Sequence, residues 1–118
     1  MPPAYKTKTV TIAINESVSG ELDLEGYRFV SIQMPAAWTA ANLTFQAAEK
    51  AAGTFNNLYD DEGTEAIAIA AASRQISMSL YSLAFAPLQF IKIRSGTAAT
   101  PVNQAAARTI RVFLKSWG

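Results

Sequence analysis

At 118 residues with a net charge of +1, the chain is long enough to bury one core without staples, and its charges are scattered rather than in excess. It has no cysteine and no histidine. That excludes disulfides and thiolate chemistry, and it removes the commonest general base and the commonest transition-metal ligand.

Half of the residues are hydrophobic, yet no apolar run approaches the ~18–20 residues that span a bilayer, so no membrane is expected. A duplex-binding domain concentrates Lys and Arg on one face, so no nucleic acid is expected either. The first residues, MPPAYKTKT, show no apolar signal region, which leads to an expectation of synthesis and folding in a cytoplasm.

Residues 1–7 are polar and proline-bearing and read as an extended arm preceding a single domain over residues 8–118. A frayed terminus is the plainer reading of this arm. The sharper one makes Pro2, Pro3 and Tyr5 contacts to a neighbouring subunit.

Lys8 to Ile14 alternates Val10, Ile12 and Ile14 against Thr9, Thr11 and Ala13, the period of two of a half-buried strand. Turn chemistry follows in NESVSG, then a short strand with Leu22 and Leu24 inward, then the Glu25-Gly26 turn. Tyr27 to Gln46 reads as strand, short connection, strand. Val30, Ile32 and Met34 form the inner face of the first strand, and Leu43 and Phe45 that of the second. Pro35 ends the first strand because it cannot donate to a ladder. Trp38 stands among alanines, where one large ring can close the end of a core. A helical turn over Ala36 to Ala41 is the alternative for this connection.

Gly53 breaks the chain, and Phe55 to Tyr59 is a short strand or irregular segment. Asp60-Asp61-Glu62-Gly63 is read as a solvated hairpin turn. Its three carboxylates raise the thought of calcium, but the alternating acids and distant glutamate of a full calcium loop are missing. Glu65 to Ala71 is assigned as a strand with Ile67 and Ile69 inward, and Ser73-Arg74 as a turn. Gln75 to Leu80 carries Ile76, Met78 and Leu80 inward, and Tyr81 to Phe85 is an apolar connection. Leu88 to Arg94 has Ile91 and Ile93 inward, with Lys92 and Arg94 outward. After the polar loop Ser95 to Gln104, Ala105 to Lys115 closes the chain with Ile110, Val112 and Leu114 inward. Arg111, Phe113 and Lys115 face out.

About eight strands at this spacing, without a strand–helix alternation, predict an all-β fold: an antiparallel β-sandwich, jelly-roll-like. The carboxylates fall beside turns, and no spacing sets two of them across a cleft. The glycines are isolated and cradle no phosphate. No enzyme, no catalytic residue, no cofactor and no metal is therefore expected. Tyr59, Tyr81, Phe113 and Trp117 are candidate exposed rings. Trp117 is weighed evenly between a core cap and an exposed platform on which a sugar could stack, with burial in an adjoining subunit as a third reading.

Two segments carry a resemblance. MPAAWTAANLTFQAAEKAAGTFNNLYDDEG (Met34 to Gly63) and FIKIRSGTAATPVNQAAARTIRVFLK (Phe90 to Lys115) resemble small virion structural proteins of tailed bacteriophages and prophages. In these a strand ends at a Pro-Ala-Ala-Trp turn, the next carries Leu-Thr-Phe-Gln, and an Ile-Arg-Ser-Gly loop precedes a late Gln and the final strand. The similarity covers most of the chain after Tyr27. It implies a β-sandwich of head-decoration, head-fibre or tail-associated type that binds the capsid or another virion protein. It supplies no catalytic residue. A multi-copy or homo-oligomeric protein located in the virion is the resulting expectation, with Pro2, Pro3, Tyr5, Phe113 and Trp117 as partner-binding residues. The alternative is a carbohydrate-binding sandwich that stacks a glycan on exposed rings. A hydrolase with a facing carboxylate pair is the distant third.

Overall fold

The computed structural model describes residues 4–78 and 88–116, and all of their regular structure is β. Eight strands follow in order: β1 (Tyr5–Ile12), β2 (Leu22–Asp23), β3 (Arg28–Gln33), β4 (Leu43–Ala48), β5 (Asn56–Asn57), β6 (Gln75–Ser77), β7 (Phe90–Ser95) and β8 (Arg108–Lys115). They form two four-stranded sheets, β1-β8-β3-β6 and β2-β7-β4-β5.

The pairing is nested. β1 pairs β8, β2 pairs β7, β3 pairs β6 and β4 pairs β5, all antiparallel. The β3–β8 and β4–β7 pairs then close each sheet. This is a four-deep hairpin rolled into a sandwich, the jelly roll.

The core is the space between the sheets. Ile12, Phe29, Ile32, Leu43, Phe45, Ile91, Ile93, Ile110 and Val112 are all fully buried there. Each such side chain contributes about 1.5–3 kcal/mol of burial. Phe29 and Phe45, from opposite sheets, meet edge to face with ring centroids 6.1 Å apart.

Several expectations change. β1 starts at Tyr5, so residues 5–7 of the expected arm are strand, paired with Phe113 to Lys115 of β8. β1 also stops at Ile12, which leaves Ile14 in the following loop and 57% exposed. In β3 the register shifts between Phe29 and Ser31. A bulge spends Val30 and lets Phe29 and Ile32 share the inner face, so Phe29, not Val30, fills the core.

Residues 65–71 form only isolated bridges, Tyr59–Glu65 and Leu43–Ala68. Their inner face is Ala66 and Ala68, while Ile69 is 63% exposed. The facing there is one residue out of step, because the Tyr59–Glu65 hairpin sets the phase. The Ala36–Ala41 segment is bends, without a helical turn. Trp38 packs on the core edge and donates its ring N–H to the Ala41 carbonyl at 3.0 Å. Leu80 and Tyr81 lie outside the described residues.

The outermost strands are tied across the sandwich. Lys6 and Lys8 both reach Glu25, the Lys6 pair at 3.0 Å, and Lys8 also donates to the Asp23 carbonyl at 2.7 Å. Glu25 and Gly26 both have positive φ, and the Tyr27 N–H donates to the Leu24 carbonyl, which makes a type I′ turn. The lysine hydrogen bonds, Lys8's first, hold the Glu25 carboxyl below its ordinary value. The hydrogen bond to Glu25 raises Lys6.

Candidate interaction surface

The outer face of the β1-β8-β3-β6 sheet is built by the residues that alternate away from the core. β8 supplies Thr109, Arg111, Phe113 and Lys115, opposite Thr11, Thr9, Thr7 and Tyr5 of β1. On the other side of β8, β3 sets Ser31 against Phe113 and Gln33 against Arg111. β6 extends these rows with Ser77 and Gln75. The rows read Thr7-Phe113-Ser31-Ser77 and Thr9-Arg111-Gln33-Gln75, a flat array of hydroxyls and amides around one cation and one ring.

Two of the residues expected at a partner contact come together here. Tyr5, 72% exposed, sits diagonally from the half-buried Phe113. The Lys115 ammonium lies 5.4 Å from the Tyr5 ring centroid. Pro2, Pro3 and Trp117 lie outside the described residues. A shallow groove of about 410 Å³ opens on the same face, lined by Thr9, Gln33, Pro35, Ala36, Thr109 and Arg111.

Charge is segregated. Every ionic side chain on the four strands of this sheet is basic, and of these Arg111 and Lys115 alternate onto the outer face while Lys6, Lys8 and Arg108 fall on the side of Val10, Ile12 and Ile110. All nine acidic residues of the chain lie outside those strands. Arg111 is exposed and, among the described residues, has no ion-pair partner.

The end of the sandwich that carries the β1–β2, β3–β4, β5–β6 and β7–β8 connections is held by buried polar groups. Arg94, expected to face solvent, is only 4% exposed. Its Nε donates to the Thr44 hydroxyl at 2.9 Å, one Nη to the Asn57 side-chain oxygen at 2.8 Å, and the other to Glu65 at 2.9 Å. Glu65 also accepts the Ala98 N–H at 3.0 Å, and Thr44 donates to the Gly96 carbonyl at 2.7 Å.

Beside this, the fully buried Gln104 amide donates to the Thr39 carbonyl and the Ser95 hydroxyl. Its oxygen accepts from the Thr39 N–H and from Arg108. Sequence reasoning missed this network. Its signal was present, because the Ile-Arg-Ser-Gly, late Gln and Leu-Thr-Phe-Gln motifs are the strings that contain Arg94, Ser95, Gly96, Gln104 and Thr44.

At the acidic turn, the Asp60 carboxylate accepts the N–H groups of Glu62 and Thr64, both at 2.9 Å. It is an internal brace. Asp61 and Glu62 project from the tip, exposed and without an ion-pair partner among the described residues. Among the described residues no three acidic side chains gather into a metal site.

Fold and surface together define an eight-stranded jelly-roll sandwich whose β1-β8-β3-β6 sheet presents Arg111 among hydroxyls and amides on its outer face. No family model matches the chain, and no curated protein does. Among solved structures, the crystal structure of the SPBc2 prophage-derived protein YomS is similar. That likeness covers 98% of this chain and 96% of the other, with a TM-score of 0.60 and 13% sequence identity. At that identity it shows a shared fold.

Proposed function

We propose that the chain is a non-enzymatic bacteriophage structural protein, present in many copies in the virion, that binds the capsid or a neighbouring virion subunit. The observation that carries this reading is the end-to-end likeness to a prophage-derived protein of the same size and fold. The motifs that resemble those of tailed-phage virion proteins support it, since they build the polar frame that fixes the loops. A fold hosts many functions, so the site has to carry the rest. Here the site is a flat face of short polar side chains, suited to contact with another protein surface.

The carbohydrate-binding alternative asks for an open aromatic platform. The groove along Ala47–Lys50 and the groove at Arg111 are lined by no aromatic ring, and the Tyr5 ring is approached by Lys115. That weighs toward a protein partner.

Purified particles from the source phage test the reading. The protein is expected in a fixed multi-copy ratio to the capsid protein and as ordered density on the particle. Its absence from washed particles overturns the proposal. Deleting residues 1–3 separates the terminal extension from the fold, because β1 begins only at Tyr5. Unchanged particle association in that variant removes Pro2 and Pro3 from the contact.

A further inference from the structure

The chain's net charge of +1 hides charges of opposite sign on different parts of the molecule: Arg111 on one side and Asp61 with Glu62 on the other have no ion-pair partner among the described residues. One is the outer face of the β1-β8-β3-β6 sheet, where Arg111 stands in the 410 Å³ groove with no carboxylate on any of the four strands. The other is the Asp61–Glu62 tip, on the hairpin that leaves β5 at the edge of the opposite sheet.

We propose that the sheet face centred on Arg111 docks the Asp61–Glu62 hairpin tip of a second copy of this chain. The inference rests on the multi-copy reading above and names the surface by which copies meet.

Three observations support that occupant. The charges are complementary, and neither side is neutralised within its own chain among the described residues. The tip is braced within its own turn: Asp60 Oδ1 accepts two N–H groups, and the Gly63 N–H donates to the Asp60 carbonyl at 3.1 Å, which lowers the ordering cost of docking. The groove falls within the size of small clefts, about 300–1,000 Å³, which suits a two-residue tip between Thr9, Gln33 and Thr109.

The contact is heterologous, face to tip. Each copy keeps one free face and one free tip, and copies add into a ring or a row. Exposed ion pairs are individually weak, so a single contact holds poorly and repetition supplies the strength.

Sedimentation velocity of the purified protein at high concentration tests this at ~20 mM and ~500 mM salt, where the screening length is ~20 Å and ~4 Å. Self-association is expected at low salt and is expected to fade at high salt. Arg111→Glu alone and Asp61→Lys/Glu62→Lys alone are each expected to weaken it at least ~10-fold. An equimolar mixture of the two variants is expected to recover it, because each sets opposite charges against the other. All three positions are exposed, and unchanged thermal midpoints confirm folding.

A monomer at both salts overturns the proposal, as does undiminished association in either variant, or a mixture that fails to recover. Salt-sensitive binding to an acidic polysaccharide without self-association also overturns it, and gives the face to another ligand. None of these outcomes touches whether the protein is found on particles, so the virion reading stands or falls separately.

Discussion

A guanidinium taken out of water has to find every hydrogen bond it gives up, and Arg94 does so through Thr44, Asn57 and Glu65. Removing Glu65 leaves the buried Arg94 guanidinium without its carboxylate partner. Glu65→Ala is therefore expected to cost about 3–5 kcal/mol, with the urea midpoint as the measure. Replacing Arg94 and Glu65 together by apolar residues is expected to cost much less than the sum of the single changes, which a double-mutant cycle reads out.

Gly96 is the second sensitive position. Its φ is +89°, and a Cβ there would lie 2.5 Å from the Thr100 carbonyl oxygen and 2.7 Å from the Val102 nitrogen. Both are backbone atoms and cannot swing aside. Gly96→Ala is expected to destabilise by about 1–3 kcal/mol or more, seen as a lower urea midpoint.

These residues also mark the limit of reading from sequence. An arginine directly after an inward isoleucine reads as solvent-facing, and β7 does turn it away from the core. What buries it is a hairpin and a loop folded over the outer side of the sheet, which no local pattern records.

At the scale of elements, β8 was legible because Ile110, Val112 and Leu114 alternate without interruption. β1 was legible only from Lys8, since Lys6 and Lys8 stand where its inner face would be apolar and Ile14 falls past its end. β3 was legible as a strand but not in its facing, since one bulged residue exchanges the roles of Phe29 and Val30. Residues 65–71 were misread for a related reason. Isoleucine draws the eye inward, yet the backbone bonds of Ala66 to Leu58 and of Ala68 to Leu43 set the alanines on the inner side. Tyr5 and Phe113 were singled out separately, and only the β1–β8 register shows them to be neighbours.

The ties between edge strand and turn carry a test of their own. Glu25 has a lowered pKa, so its share of stability is present above its ordinary value and lost as pH falls through the lowered one. Lys6 is raised, so its share is present below its ordinary value and lost as pH climbs through the raised one. The tie therefore operates across the neutral range. It is solvent-exposed, and its effect is correspondingly small and screened. Glu25→Gln is expected to lower the thermal midpoint slightly at low salt and to leave it unchanged at high salt.

For the whole molecule, the eight-strand count and two-layer architecture were legible from strand spacing and the lack of helical periodicity. The strand order was not, because pairing partners sit far apart in the chain. The Thr11 and Thr109 hydroxyls, 3.2 Å apart, are separated by 98 positions. Loop closure on that scale is expected to make folding slow, in milliseconds to seconds, as a stopped-flow refolding trace would record.

Strand β1 beside β8 has one more consequence. The Ala4 N–H donates to the Ser116 hydroxyl at 2.8 Å, and the Ser116 N–H returns a bond to the Ala4 carbonyl. Where the described polypeptide enters and where it leaves are thus the same corner. A short glycine linker between those two positions, with new ends cut at the Asp61–Glu62 tip, should yield a circularly permuted protein that melts close to the parent. The same corner makes a fused peptide at either end emerge at one point in space, so two different cargoes would be carried side by side.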